Sequence, residues 1–177
     1  MYKFISDPGI SPSTARTAVA PVTLRRRKRS PRILLVASGG GHWVELLRLR
    51  AAWEGKDVAY VTVQPSYAPE VPGARFYCVQ DATRWSRWDL ARMVLQMTWV
   101  VLRERPNVVI SSGAAPGLVA LWVGKCLGAR TLWLDSIANV DSLSKSGQRV
   151  ARVADVYLTQ WKHLQTSNGP EYRGSVL

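Results

Sequence analysis

Arg32-Ile33-Leu34-Leu35-Val36-Ala37-Ser38-Gly39-Gly40-Gly41-His42 is the stretch that decides the fold. Residues 33–37 form a continuous apolar run of the kind that reads as a buried strand of a parallel sheet. The three glycines that follow let the backbone approach a ligand with no Cβ in the way. A helix predicted from Trp43 would turn its first amides, with their positive dipole character, toward that ligand. His42, at the helix start, carries the side chain suited to moving a proton near neutral pH. Ser38, Gly39, Gly40 and Gly41 thus make a candidate phosphate cradle, with His42 a candidate base beside it. The plainer alternatives are a tight turn and a structural histidine. The loop is not a dinucleotide fingerprint, because G-x-G-x-x-G needs glycine where Val44 stands. It is not a P-loop either, because no Gly-Lys-Ser/Thr follows.

Outward from this stretch, strand-like and helix-like segments alternate. Strands are predicted over 57–63, 75–79, 107–111, 130–134 and 155–160. Helices are predicted over 43–53, 89–105, 116–127 and 147–154. In the first of these, Trp43, Leu46, Leu47 and Ala51 share a face. Pro106 and Gly128 stop two of the others. Such alternation predicts an α/β fold with a parallel, Rossmann-like sheet of about six strands and helices on both faces. Ligands of open parallel sheets bind beyond the carboxyl ends of the strands. Three features fall there: the 39–42 loop, the small-residue loop 111–117 with Ser112 and Gly113, and the pair Asp135-Ser136. Two helix N-termini facing one crevice would suit a ligand with two phosphates. The second loop also reads as a simple helix cap, and Asp135 as a turn acid.

The 177 residues suffice for one domain with a sizeable core. The two cysteines, Cys78 and Cys126, argue against a disulfide framework and are expected in the core. Net charge is +12, and residues 1–32 hold eight Lys/Arg against one acid, more than half of the excess. Residues 1–31 read as a disordered basic arm, with no apolar block of a secretory signal. Anionic headgroups would attract it by about 1 kcal/mol per basic residue near the surface; a plain solvated extension is the alternative. A nucleic-acid module would explain the charge, but no reader motif is present and most of the excess sits in a tail. A Rossmann nucleotide enzyme is disfavoured by the missing third glycine. His42 and His163 match no zinc spacing, and neither metal nor cofactor is expected.

The segment 85–105 is nearly apolar all round, interrupted by Arg92 and Gln96. It is short of the roughly 20 apolar residues of a membrane span. Trp85, Trp88 and Trp99 suit a headgroup boundary, and Arg84, Arg87, Arg92, Arg103 and Arg105 line the segment. A helix lying on a membrane surface fits; so does a buried core helix, and one face could serve each way.

Four motifs occur in order: 37–42 (ASGGGH), 109–114 (VISSGA), 135–144 (DSIANVDSLS), and Ala154-Asp155 followed by Thr159-Gln160-Trp161. Together they resemble the acceptor-binding, membrane-associated subunit of two-subunit glycosyltransferases, over about residues 32–177. That family includes the eukaryotic dolichol-linked N-acetylglucosaminyltransferase subunit and bacterial capsule and exopolysaccharide proteins. The resemblance implies the N-terminal, acceptor half of a GT-B glycosyltransferase over 32–177. It implies a separate donor-binding subunit for the UDP-sugar and a polyprenyl-diphosphate-sugar acceptor. The eukaryotic relatives carry an N-terminal transmembrane helix; with a basic arm instead, attachment at the cytoplasmic face of the membrane is expected to be peripheral or through partners. His42 would be the general base, with Asp135 beside it in catalysis. Ser38, Gly39, Gly40, Gly41, Ser112 and Gly113 would bind the acceptor diphosphate. Ser136 and Asn139 would touch the sugar or hold the loop. Trp85, Trp88, Arg92 and Trp99 would meet the membrane, and residues 171–177 would approach the donor subunit. The chain departs from the family pattern in its third glycine, in Asp135 for glutamate, in Asn139 for arginine, and in Ser146 for threonine before Gly147.

Overall fold

The computed structural model describes residues 30–81 and 87–176. Seven strands form one sheet: β1 (Arg32–Val36), β2 (Asp57–Thr62), β3 (Arg75–Cys78), β4 (Val108–Ser111), β5 (Arg130–Leu134), β6 (Val156–Thr159) and β7 (Glu171–Tyr172). Their spatial order is β3-β2-β1-β4-β5-β6-β7, and every pairing is parallel. The six strands expected from apolar runs are present. The seventh is only two residues long and has no run to announce it.

Four α-helices connect them: α1 (Gly41–Arg48), α2 (Arg87–Glu104), α3 (Ala114–Cys126) and α4 (Lys145–Val150). The helix predicted over 43–53 breaks at Leu49 into α1 and a 3-10 turn, Arg50–Trp53. The break rotates the apolar stripe, so Trp43 and Leu46 are buried while Ala51 is exposed. Helix α2 runs to Glu104, where Arg105 takes φ 45° ahead of Pro106. Proline bars the helical region to the residue before it, and this ends the helix as expected.

Two apolar layers sandwich the sheet. On one face Met93, Met97, Val100, Val101, Ala120, Leu121 and Val150 from α2, α3 and α4 pack on Leu34, Val36, Val61, Val109 and Trp133. On the other, Trp43, Leu46 and Trp53 pack on Leu35 and Tyr60. That second face is thinly covered. Ile33, Ile110, Leu132, Leu134 and Leu158 floor an apolar groove of about 290 Å³, edged by residues 173–176. Cys78 and Cys126 are both exposed, contrary to the expected core placement. One ends the edge strand β3 and the other ends α3. Residues 1–29, most of the expected arm, and Trp85 lie outside the described residues.

Candidate functional site

Strand order reverses between β1 and β4, since β1 leads to β2 on one side and β4 leads to β5 on the other. Ligand crevices of open parallel sheets lie at such a reversal. The two small-residue loops follow β1 and β4, so the topology brings the 38–41 and 111–113 segments side by side. Helices α1 and α3 start from them.

Hydrogen bonds lock the two loops together. His42 Nδ1 donates to the Ser112 carbonyl at 2.9 Å, and Ser112 Oγ donates to the His42 carbonyl at 2.7 Å. A carbonyl oxygen only accepts, so Nδ1 carries the proton and the neutral ring keeps its lone pair on Nε2. Nε2 has no hydrogen-bond partner among the described residues, and the ring is half-buried. Gly113 is what lets the ring in. Its φ is 145°, and a Cβ there would stand 2.4 Å from His42 Cε1 and 2.6 Å from Nδ1. At Gly117 a Cβ would meet Ser111 Oγ, so α3 also needs a glycine to sit on β4.

The expected phosphate-binding groups divide. The Ser38 carbonyl is engaged by the Thr62 hydroxyl and by Val63 N–H. Gly39 lies against Gln64, and the Gly40 amide donates to Tyr67 Oη at 3.1 Å. Ser112 is committed to His42 through its hydroxyl and its carbonyl, and Gly113 N–H donates to Ser111 Oγ at 3.1 Å. Among the described residues, the amides of Gly41 and His42 have no partner; they form the first turn of α1, where backbone donors are left over.

Asp135 is 1% exposed. Its Oδ1 accepts from Ser144 Oγ at 2.6 Å and Trp133 Nε1 at 3.3 Å, and its Oδ2 from Ser144 N–H at 2.9 Å. Ser144 Oγ caps α4 by accepting from Gly147 N–H at 2.8 Å. Asp135 therefore braces the loop that leads into α4, and both of its oxygens are engaged. Burial, and after it the nearby charge of Asp135, pushes the Tyr157 hydroxyl well above the usual tyrosine range. Ser136 is also buried, and its hydroxyl donates to Glu45 Oε1. Asn139 is half-buried at the end of the same turn, its N–H bonded to the Ser136 carbonyl at 3.0 Å.

Two residues of this region escape a reading of the sequence. Tyr67 stacks on Trp43, with centroids 5.0 Å apart and planes at 13°, and reaches the glycine loop from a 3-10 turn, Pro65–Glu70. Glu45 is a buried acid on the inner side of α1. Only its place within the apolar stripe of Trp43 and Leu46 could have signalled it.

Away from the crevice, α2 shows two faces. Met93, Met97, Val100 and Val101 are buried, while Trp88 is 81%, Leu95 70% and Trp99 55% exposed. Leu102 on the same helix, Trp122 on α3 and Leu127 just beyond its end are exposed apolar residues too. Arg87, Arg92, Arg103 and Arg105 are exposed on or beside α2, and the Arg103 guanidinium lies 5.3 Å from the centre of the Trp99 ring. The helix is thus not wholly a core helix. Among the described residues, no helix is long and apolar enough to cross a membrane, and no cluster of His, Cys, Asp and Glu is placed to hold a metal ion.

Comparison with known proteins fits this geometry. The family described as "Oligosaccharide biosynthesis protein Alg14 like" matches residues 64–176. The mouse (Mus musculus) UDP-N-acetylglucosamine transferase subunit ALG14 is 23% identical over 174 residues, covering 78% of this chain and 79% of the mouse protein. Acinetobacter baumannii MurG superposes with a TM-score of 0.66 at 12% identity, over 83% of this chain and 46% of its own. The UDP-N-acetylglucosamine 2-epimerase of Rickettsia bellii does so at 0.62 and 13%, over 83% and 45%. The chain spans about half the length of those two enzymes. The fold is the expected one, an α/β parallel sheet equivalent to one half of the GT-B fold. The chain belongs to the Alg14-like family of oligosaccharide biosynthesis proteins.

Proposed function

We propose that this chain is the acceptor-binding subunit of a two-subunit glycosyltransferase that extends a polyprenyl-diphosphate-linked sugar, in lipid-linked oligosaccharide or capsule and exopolysaccharide synthesis. The observation that carries the reading is the His42–Ser112 lock, which leaves Nε2 as the basic nitrogen between two helix N-termini. The acceptor hydroxyl gives its proton to Nε2 as its oxygen attacks the anomeric carbon of the donor sugar. The bond from that carbon to the nucleotide diphosphate breaks, and the nucleotide leaves. Ser112 holds the ring in the required tautomer, and its carbonyl accepts from Nδ1–H throughout. A positioned base of this kind contributes about 10²–10⁴-fold.

The acceptor diphosphate sits at the start of α1, where the amides of Gly41 and His42 are available; Ser38, Gly39, Gly40, Ser112 and Gly113 shape the cradle around it. Asp135 and Ser136 act by holding the loop, and Asn139 faces the sugar. The exposed stripe of Trp88, Leu95 and Trp99 with its arginines rests on the anionic cytoplasmic face of the membrane. The nucleotide sugar belongs to a second subunit, which the segment 173–176 and the groove beside it help to seat.

The test is co-expression with a donor-binding glycosyltransferase subunit and an assay of sugar transfer to a polyprenyl-diphosphate sugar. UDP-N-acetylglucosamine, the donor in the mouse relative's name, is the first donor to try. Transfer by the pair and none by either chain alone is expected. Full activity from this chain by itself contradicts the two-subunit reading.

A further inference from the structure

Glu45 follows His42 by three residues on α1, so both side chains rise from one helical face, with Cβ atoms about 5–6 Å apart. Glu45 is 3% exposed. Its Oε1 accepts two hydrogen bonds from the segment after β5, from Ser136 Oγ at 2.8 Å and from Ile137 N–H at 2.9 Å. Ser136 Oγ in turn accepts from Ala138 N–H at 3.3 Å, and the Ser136 carbonyl accepts from Asn139 N–H at 3.0 Å. One carboxylate oxygen therefore ties a closed turn, residues 136–139, to the helix that carries the candidate base. The turn is pinned from its other side by Trp161 Nε1, which donates to the Ile137 carbonyl at 2.8 Å. Glu45 Oε2 is buried and has no hydrogen-bond partner among the described residues.

We propose that Glu45 is the positioning residue of the site: it fixes the gap between His42 and the 136–139 turn, and through that gap the fit of the acceptor sugar. The proposal rests on the acceptor-binding function inferred above. What the turn needs from residue 45 is one acceptor oxygen at the right reach, since both observed bonds end on Oε1. A glutamine supplies that oxygen through its amide carbonyl. It also removes a buried carboxylate whose second oxygen is unpaired, and a neutral amide is cheaper to bury than a charge. An alanine supplies nothing and leaves the Ser136 hydroxyl and Ile137 N–H without their acceptor.

Glu45→Gln and Glu45→Ala separate these effects in the two-subunit complex. The readouts are kcat, KM for the acceptor, Tm, and amide hydrogen exchange over residues 136–139. For Glu45→Gln, acceptor KM and exchange protection match wild type and Tm is equal or higher. For Glu45→Ala, acceptor KM rises about tenfold, the size of one lost hydrogen-bonded contact, kcat changes less than threefold, and protection over 136–139 is lost. A folded Glu45→Ala with wild-type acceptor KM overturns the proposal. So does Glu45→Gln as impaired as Glu45→Ala, because that result assigns the role to the charge. Failure of the functional reading is recognised separately, by a wild-type pair that transfers no sugar. The exchange comparison then still decides: wild-type protection in a folded Glu45→Ala overturns the positioning role.

Discussion

His42 and Ser112 hold each other twice, once by Nδ1–H to the Ser112 carbonyl and once by Ser112 Oγ–H to the His42 carbonyl, at 2.9 and 2.7 Å. One bond sets the tautomer of the ring and the other sets the backbone that carries it. The two residues are 70 positions apart, on the loops after the two strands that flank the reversal of strand order. The pairing makes the glycine loops a single unit, and the missing side chain of Gly113 leaves the ring its space.

A methyl group at residue 113 would occupy the space of the imidazole and would require a φ that side chains avoid. Gly113→Ala is expected to lower stability by about 1–3 kcal/mol and to expel the ring from its place. Urea denaturation read beside the transfer assay checks this. Wild-type activity in Gly113→Ala would show that the ring does not need its seat.

Helix α2 carries an apolar stripe on which Trp88 and Leu95 stand largely exposed. Leu95→Glu and Trp88→Glu put charge on that stripe while leaving Met93 and Met97 in the core and Trp99 edge-on against Tyr77. Both variants should keep the wild-type Tm within a few degrees and bind vesicles containing anionic lipid at least several-fold more weakly, in a sedimentation assay. Undiminished vesicle binding would move the membrane contact elsewhere.

The division between what the sequence states and what it hides follows from the range of the interactions. Strands β1, β2, β4, β5 and β6 are legible because they carry apolar residues toward both faces, into the core layers or the groove, and so read as apolar runs, and the switch-point crevice follows from the alternation. Of the glycines before His42, Gly40 takes a φ of 57°, a conformation that favours glycine. The contact of Glu45 with Ser136, 91 residues away, is not legible, since no local pattern distinguishes a helix acid that faces solvent from one that faces another loop. Asp135 reads as a site acid from its place at a strand end. Its engagement by Ser144 and Trp133 emerges only from the way α4 folds back. The exposure of Cys78 and Cys126 runs against the habit of their residue type, because both fall at the ends of peripheral elements.

Tyr157 offers a test of the packing beneath that loop. Its hydroxyl is buried without a partner among the described residues, close to Gly147. An unpaired buried hydroxyl costs free energy that phenylalanine does not. Tyr157→Phe should therefore be neutral or stabilising by up to about 1 kcal/mol. A loss of several kcal/mol would mean that the hydroxyl makes a bond essential to the fold.

Asp155 sets an acid limit on stability. A hydrogen bond from Lys125, then the Thr131 N–H bond at 2.9 Å, hold its carboxyl below the usual range against a smaller opposing effect of burial. A carboxyl lowered on folding contributes stability that is fully present above its unfolded pKa, about 3.9, and is lost as pH falls through the lower folded value. Asp155→Ala should cost about 1 kcal/mol at pH 7, given the partial exposure of the pair, and progressively less below about pH 4. Denaturant melts at pH 7 and in the acid range check the direction, and a difference independent of pH would contradict it.

The central claim, that His42 takes the acceptor proton, is tested most directly by the turnover of His42→Ala paired with the donor-binding subunit. The base role predicts that kcat falls by about 10²–10⁴-fold while the KM for the polyprenyl-diphosphate acceptor stays within a few-fold of wild type. An unchanged kcat would contradict it.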